Sequence, residues 1–176
     1  MIGIAGRIGS GKTTAARYLA SKHNFKYLRY SQVLREQFKG AGSRERLRAL
    51  GWDVMSRGRQ EELNRALLKR VMGHGDCVVE GLRHPIDYET LRKHFRQRFF
   101  LVYIEAAVNL RKRRLRQAGR APSTMEFQIA DEHPVEGNVL LLKLKADRMI
   151  RNDGSLKQFH HRLDRAVNRA RKGSPA

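Results

Sequence analysis

Met1-Ile2-Gly3-Ile4-Ala5-Gly6-Arg7-Ile8-Gly9-Ser10-Gly11-Lys12-Thr13-Thr14 opens the chain. The first five residues are apolar or glycine and read as a short strand; the next run fits G-x-x-x-x-G-K-[ST] at every fixed position. Gly6, Gly9 and Gly11 admit dihedrals closed to residues with a Cβ, so the backbone N–H groups of Arg7, Ile8, Ser10 and their neighbours can turn inward around an anion. A helix starting near Gly11 adds its free amino-terminal amides and the positive end of its dipole. Lys12 supplies a flexible point charge for the outer phosphates of a triphosphate, and the Thr13 hydroxyl suits a Mg²⁺ ligand position.

The bulk composition bounds the rest. A chain of 176 residues supports one full core and is short for two. No apolar run is long enough to span a bilayer, and the glycine-bearing amino terminus lacks a basic lead-in, so neither export nor a membrane is expected. The single Cys77 excludes an internal disulfide, and a reducing, cytoplasmic setting is expected. Lys and Arg number 37 against 17 Asp and Glu, a net charge of +20. That field attracts polyanions in general, so nucleic acid is a possible partner alongside nucleotides; solvated helix faces are the alternative. His74, His84, His94, His133, His160 and His161 lack a cysteine or carboxylate at ligand spacing, and no zinc site is expected.

Outward from the loop, strands and helices alternate. Helical spacing over 13–22 gives way to a strand at 25–28. Ser31 is placed to cap a helix running to about Lys39 and stopped by Gly40. Residues 43–72 read as a long helical region interrupted near Gly51 or Gly58, with Arg57 at the break able to point inward. A buried strand at 77–79 is followed by Glu80-Gly81-Leu82-Arg83, where an acid beside a phosphate loop can hold Mg²⁺ through water. Pro85 opens a helix to His94. Residues 99–104 form the clearest strand, and 106–117 a helix rich in arginine that breaks at residues 119–123. Such guanidinium groups leading into a Gly/Pro loop suit a lid closing over transferring phosphates; a solvated basic helix is the competing view. Residues 135–145 are helical with 139–142 well buried, 147–150 a last strand, and Ser155 caps a closing helix to about Ala170. The pattern predicts an α/β fold: a five-stranded parallel sheet with helices on both faces, three layers in all, and the ligand at the carboxyl ends of the strands. Residues 1–170 form one domain, the lid covers about 112–128, and 171–176 is a frayed tail.

The segments together resemble the nucleotide kinase group of P-loop proteins, the nucleoside monophosphate kinases and dephospho-CoA kinases. The resemblance covers most of the chain and is strongest at residues 6–13 and at the Asn152-Asp153-Gly154-Ser155 turn. It implies ATP and Mg²⁺ as cofactors, with Asn152 and Gly154 beside the adenine. Ser31-Gln32-Val33-Leu34-Arg35-Glu36 resembles the start of the acceptor helix and Glu80-Gly81-Leu82-Arg83 the acid-Gly-x-x-Arg turn. Arg35 and Arg83 are then expected to clamp an acceptor phosphate, with Arg57 as a further acceptor contact. Ala118 stands where the lid's second arginine is expected, leaving Arg116 or Arg120 to meet the transition state. Dephospho-CoA kinases carry an aspartate after the second strand; here Arg29, Tyr30 and Ser31 follow. A hydroxyl acceptor needs a base whereas a phosphate does not, so the chain leans toward a (deoxy)nucleoside monophosphate acceptor. Dephospho-CoA kinase and an RNA-associated ATPase or polynucleotide kinase are the alternatives.

Overall fold

A computed structural model of the chain describes residues 1–39, 43–121 and 123–173. Five strands, β1 (Ile2–Ala5), β2 (Lys26–Arg29), β3 (Cys77–Glu80), β4 (Phe100–Glu105) and β5 (Arg148–Arg151), form one sheet in the order β2-β3-β1-β4-β5. Every pair is parallel. Both faces are covered, which is why β3 and β4 read as unbroken apolar runs rather than alternating ones.

Alternate residues on each strand feed two cores. Ile2, Ile4, Val78, Val102, Ile104 and Ile150 pack beneath α1 (Lys12–His23) and α9 (Leu156–Lys172), which contribute Leu19, Phe159 and Leu163. Ala5, Cys77, Val79, Leu101 and Tyr103 face the other way. They meet α2 (Tyr30–Gln37), α3 (Arg44–Ser56), α4 (Gln60–Val71), α5 (Pro85–Phe95) and α8 (Pro134–Leu144). Two further helices, α6 (Val108–Gln117) and α7 (Thr124–Asp131), follow β4. Their Leu115 and Phe127, with Ala121, gather around Ile8 of the phosphate loop. No helix of the described residues is long and apolar enough to cross a membrane.

Several expectations are corrected. Strands β2, β4 and β5 each sit one residue later than their apolar runs, because sheet pairing carries Arg29, Glu105 and Arg151 past the buried stretch. Helix α2 begins at Tyr30 with no side-chain cap, and Ser31 is an exposed helical residue. Gly40, the expected stop, lies outside the described residues, as does Pro122 of the expected lid. The break in the long helical region falls at 57–59, around Gly58, and Gly51 stays inside α3. Arg57 turns outward, its side chain 71 % exposed and its Nε donating to Asp53 at 2.6 Å, one helical turn back. Helix α7 was not foreseen, although Ser123 and Glu126 form a reciprocal capping box over its first turn. In α8 the helical period buries Val139 and Leu142 while Leu140 and Leu141 stay exposed. Arg171 and Lys172 continue α9 rather than fraying, with Arg171 paired to Asp76 at 3.3 Å.

Candidate active site

The loop between β1 and α1 is pressed against β4 and β5. At Gly6 (φ +146°) a Cβ would lie 2.3 Å from the Ile104 carbonyl oxygen; at Gly11 (φ +104°) it would lie 2.3 Å from Asn152 Nδ2. Only glycine fits either place. Asn152, buried after β5, donates to the Ser10 carbonyl at 2.8 Å, and its own backbone N–H bonds Glu105 O at 2.8 Å. Its side chain thus braces the phosphate loop from behind. Gly154 lies exposed in the turn ahead of Ser155, which caps α9 as expected.

Lys12 folds over the loop, donating to Gly6 O at 2.6 Å and Arg7 O at 2.9 Å. Burial lowers its pKa to about 8, with the Arg83 and Arg111 guanidinium groups pushing the same way and Glu136 and Glu80 opposing. Phosphates beside the ammonium favour its charged form. Binding of a nucleotide is therefore expected to weaken as pH rises through about 8 and to take up a proton there. Calorimetry in buffers of different ionisation enthalpy reads that uptake directly.

Across the sheet, register pairs Glu80 with Ile4, so the end of β3 stands beside the start of the loop. Thr13 Oγ1 donates to Glu80 Oε1 at 2.6 Å, and the Tyr27 hydroxyl donates to Glu80 Oε2. Burial and then that hydrogen bond push the tyrosine pKa well up, so the phenol stays protonated. A hydroxyl and a carboxylate in contact are hard oxygen donors suited to Mg²⁺, which takes few protein ligands and completes its shell with phosphates and water. Among the described residues no cluster of three or more His, Cys, Asp or Glu forms an all-protein metal site.

The turn after β3 rests on a buried polar network that sequence reasoning missed. Asp87 accepts from the backbone N–H of Arg83 at 2.9 Å and His84 at 3.0 Å, and from Gln60 Nε2 at 2.5 Å. Tyr30 donates to Asn64 at 2.6 Å alongside. Burial raises the Asp87 pKa despite those donors. Arg83 is thereby placed near Lys12, where its Nη1 meets Glu136 Oε1 at 3.3 Å. Arg35 is exposed on α2, without an ion pair among the described residues, while Thr14 is exposed on α1.

Arg111 is one of five basic residues on α6, and its role is not apparent from the sequence. It is 2 % exposed, pairs with Asp131 of α7 through Nη1 and Nη2, and donates to Ile8 O at 3.2 Å. Arg7 joins the same carboxylate at 3.0 Å and the Asp131 carbonyl at 2.6 Å. Arg114 donates to Asn152 O at 2.8 Å. Arg116 and Arg120 are exposed, and the guanidinium charges felt at Lys12 are those of Arg83 and Arg111. The spacing of Arg111 four residues before Leu115, on one helix face, was the available signal.

With a parallel sheet in this order, a glycine-and-lysine loop after its first strand and an acid at the end of β3, the chain has the P-loop kinase fold. The profile of the AAA_18 family, described as an AAA domain, matches residues 2–135, and the chain belongs to that family. TT1252 from Thermus thermophilus is 24 % identical, with TM-score 0.59 over 96 % of both chains. Shikimate kinase from Acinetobacter baumannii is 19 % identical, with TM-score 0.58 over 99 % of this chain and 94 % of that one. A gluconokinase from Sinorhizobium meliloti is 16 % identical, with TM-score 0.60 over 96 % and 91 %. No curated protein sequence matches the chain.

Proposed function

We propose that the chain is an ATP- and Mg²⁺-dependent phosphotransferase that moves the γ-phosphoryl group onto a small nucleotide-like acceptor, a (deoxy)nucleoside monophosphate. The observation that carries the reading is Lys12 in its glycine loop with the Thr13–Glu80 pair at 2.6 Å on one side and Arg83 on the other. In such a site the loop amides and Lys12 hold the phosphates, and Thr13 and Glu80 hold Mg²⁺, Glu80 through water. Bound there, Mg²⁺ neutralises charge on the outer phosphates. Arg83, with Arg35 swinging in from α2, orients the acceptor. Arg116 or Arg120 closes from the lid over the shifting charge.

The acceptor is the finer part of the proposal. Next to β2, where a hydroxyl acceptor would need a base, Tyr30 is committed to Asn64, and Asp87 is committed to the Arg83 turn. A phosphate needs positioning and neutralisation only. Incubation with γ-labelled ATP and a panel of nucleoside monophosphates, dephospho-CoA, shikimate, gluconate and 5′-hydroxyl oligonucleotides tests it. Label in a nucleoside monophosphate is expected; label in a sugar acid, or only in inorganic phosphate, contradicts it.

A second reading, an RNA-associated ATPase or polynucleotide kinase, is favoured by a groove of about 510 Å³ along β2, flanked by Lys26, Arg29, Lys69, Arg70 and His74, where one acid, Glu36, pairs with Arg70. Arg29 and Tyr27 join that groove to the Glu80 end of the sheet. RNA binding that falls steeply with salt supports this reading, since each neutralised phosphate releases counterions.

A further inference from the structure

Glu136, near the start of α8, is 3 % exposed and lies between the phosphate loop and Arg83. Its Oε2 accepts from the Ile8 backbone N–H at 3.0 Å, and its Oε1 from Arg83 Nη1 at 3.3 Å. Arg7 Nε points at the same carboxylate from 3.8 Å, too far to bond, and is buried without a hydrogen-bond partner among the described residues. Three donors therefore converge on a group with two oxygens. A phosphoryl group brings three oxygens and more charge.

On the reading above, the acceptor attacks the terminal phosphoryl group. That group then stands between the loop and the acceptor arginine, which is the place Glu136 holds. Two anions sharing those donors in a buried site repel strongly, so both do not stay. We propose that Glu136 is a specificity-determining residue that reads the third phosphate. It occupies the terminal phosphoryl position in the ligand-free protein, gives way only to a triphosphate, and on leaving frees Arg83 for the acceptor. A diphosphate held by the amino-terminal amides of α1 and by Lys12 leaves it in place. The inference rests on the proposal that the loop binds a nucleoside triphosphate.

The sign of the effect is unusual for a site residue, because removing this charge improves binding. Calorimetric titration of Mg·ATP and Mg·ADP into the full chain tests it. Glu136→Gln is expected to bind ATP about tenfold more tightly than wild type, and ADP within about twofold of it. Glu136→Asp keeps the charge but loses the reach to both donors. It is expected to gain in the same ATP-selective way, and it serves if the glutamine variant does not fold. ATP affinity unchanged or weakened in either folded variant, or equal gains for ATP and ADP, overturns the proposal alone. A wild type that binds neither nucleotide overturns the triphosphate reading and this proposal with it.

Discussion

Lys12→Ala is expected to lower turnover by about a thousandfold or more while the protein stays folded. Phosphoryl transfer asks little covalent chemistry of the protein, so the barrier is lowered by placement and by charge met where charge develops. Lys12 is held to Gly6 O and Arg7 O and is therefore aimed before any ligand arrives. Its removal costs the transition state a preorganised charge in a part-buried site, where Coulomb interactions are stronger than in bulk water. The fold tolerates the loss for a reason visible in the linkage. The folded pKa of about 8 lies below the ordinary lysine value. Between those two values the unfolded chain binds more protons than the folded one, so stability rises with pH across that window. Below it the charged lysine is a net cost to folding. Alanine removes that cost together with two hydrogen bonds to loop carbonyls, each worth about 1 kcal/mol. Steady-state kinetics beside thermal melts check both halves. An alanine variant with wild-type turnover contradicts the assigned role.

Arg111→Met carries the largest expected effect on stability. The side chain is 2 % exposed and meets Asp131 through two nitrogens, joining α6 to α7 and both to the loop at Ile8. Removing Arg111 takes from Asp131 its bidentate partner and leaves it Arg7 at 3.0 Å, so the loss is expected near the lower end of the about 3–5 kcal/mol that a broken buried pair costs. For a chain of this size the melting temperature is expected to fall by roughly 10 °C. Adding Asp131→Ala is expected to restore part of the loss, because the stranded carboxylate is gone. Recovery stays incomplete, since Arg7 also leans on Asp131 at 3.0 Å. Urea denaturation of the single and double variants measures the coupling; a loss under about 1 kcal/mol for Arg111→Met would mean that the pair is effectively solvated.

The parts of the molecule that could be read from sequence are those set by local chemistry. The loop from Gly6 to Thr14, the acid at Glu80, the Pro85 helix start and the Ser155 cap each depend on a few adjacent residues, and each stands where expected. The alternation of strand and helix fixed a parallel sheet for the same reason. What was not legible depends on residues that meet only after folding. Arg111 and Asp131 are 20 residues apart, and Glu136 lies 128 from Ile8. In an α6 crowded with arginines, nothing local separates the buried guanidinium from the solvated ones. The same blindness explains Arg57: a break at Gly58 gives no information on which way its neighbour turns, and Asp53 decided it. Leu140 and Leu141 show the reverse case, where hydrophobicity alone promised burial and the helical period denied it.

The amides between Gly6 and Thr14, together with Lys12, are expected to grip the phosphates of a nucleoside triphosphate. The decisive experiment is titration calorimetry of Mg·ATP into the full chain at neutral pH. One saturable site per chain is predicted, with a matching rise in melting temperature and loss of both in Lys12→Ala. No heat and no thermal protection from any nucleoside triphosphate, or binding that Lys12→Ala leaves intact, would contradict it.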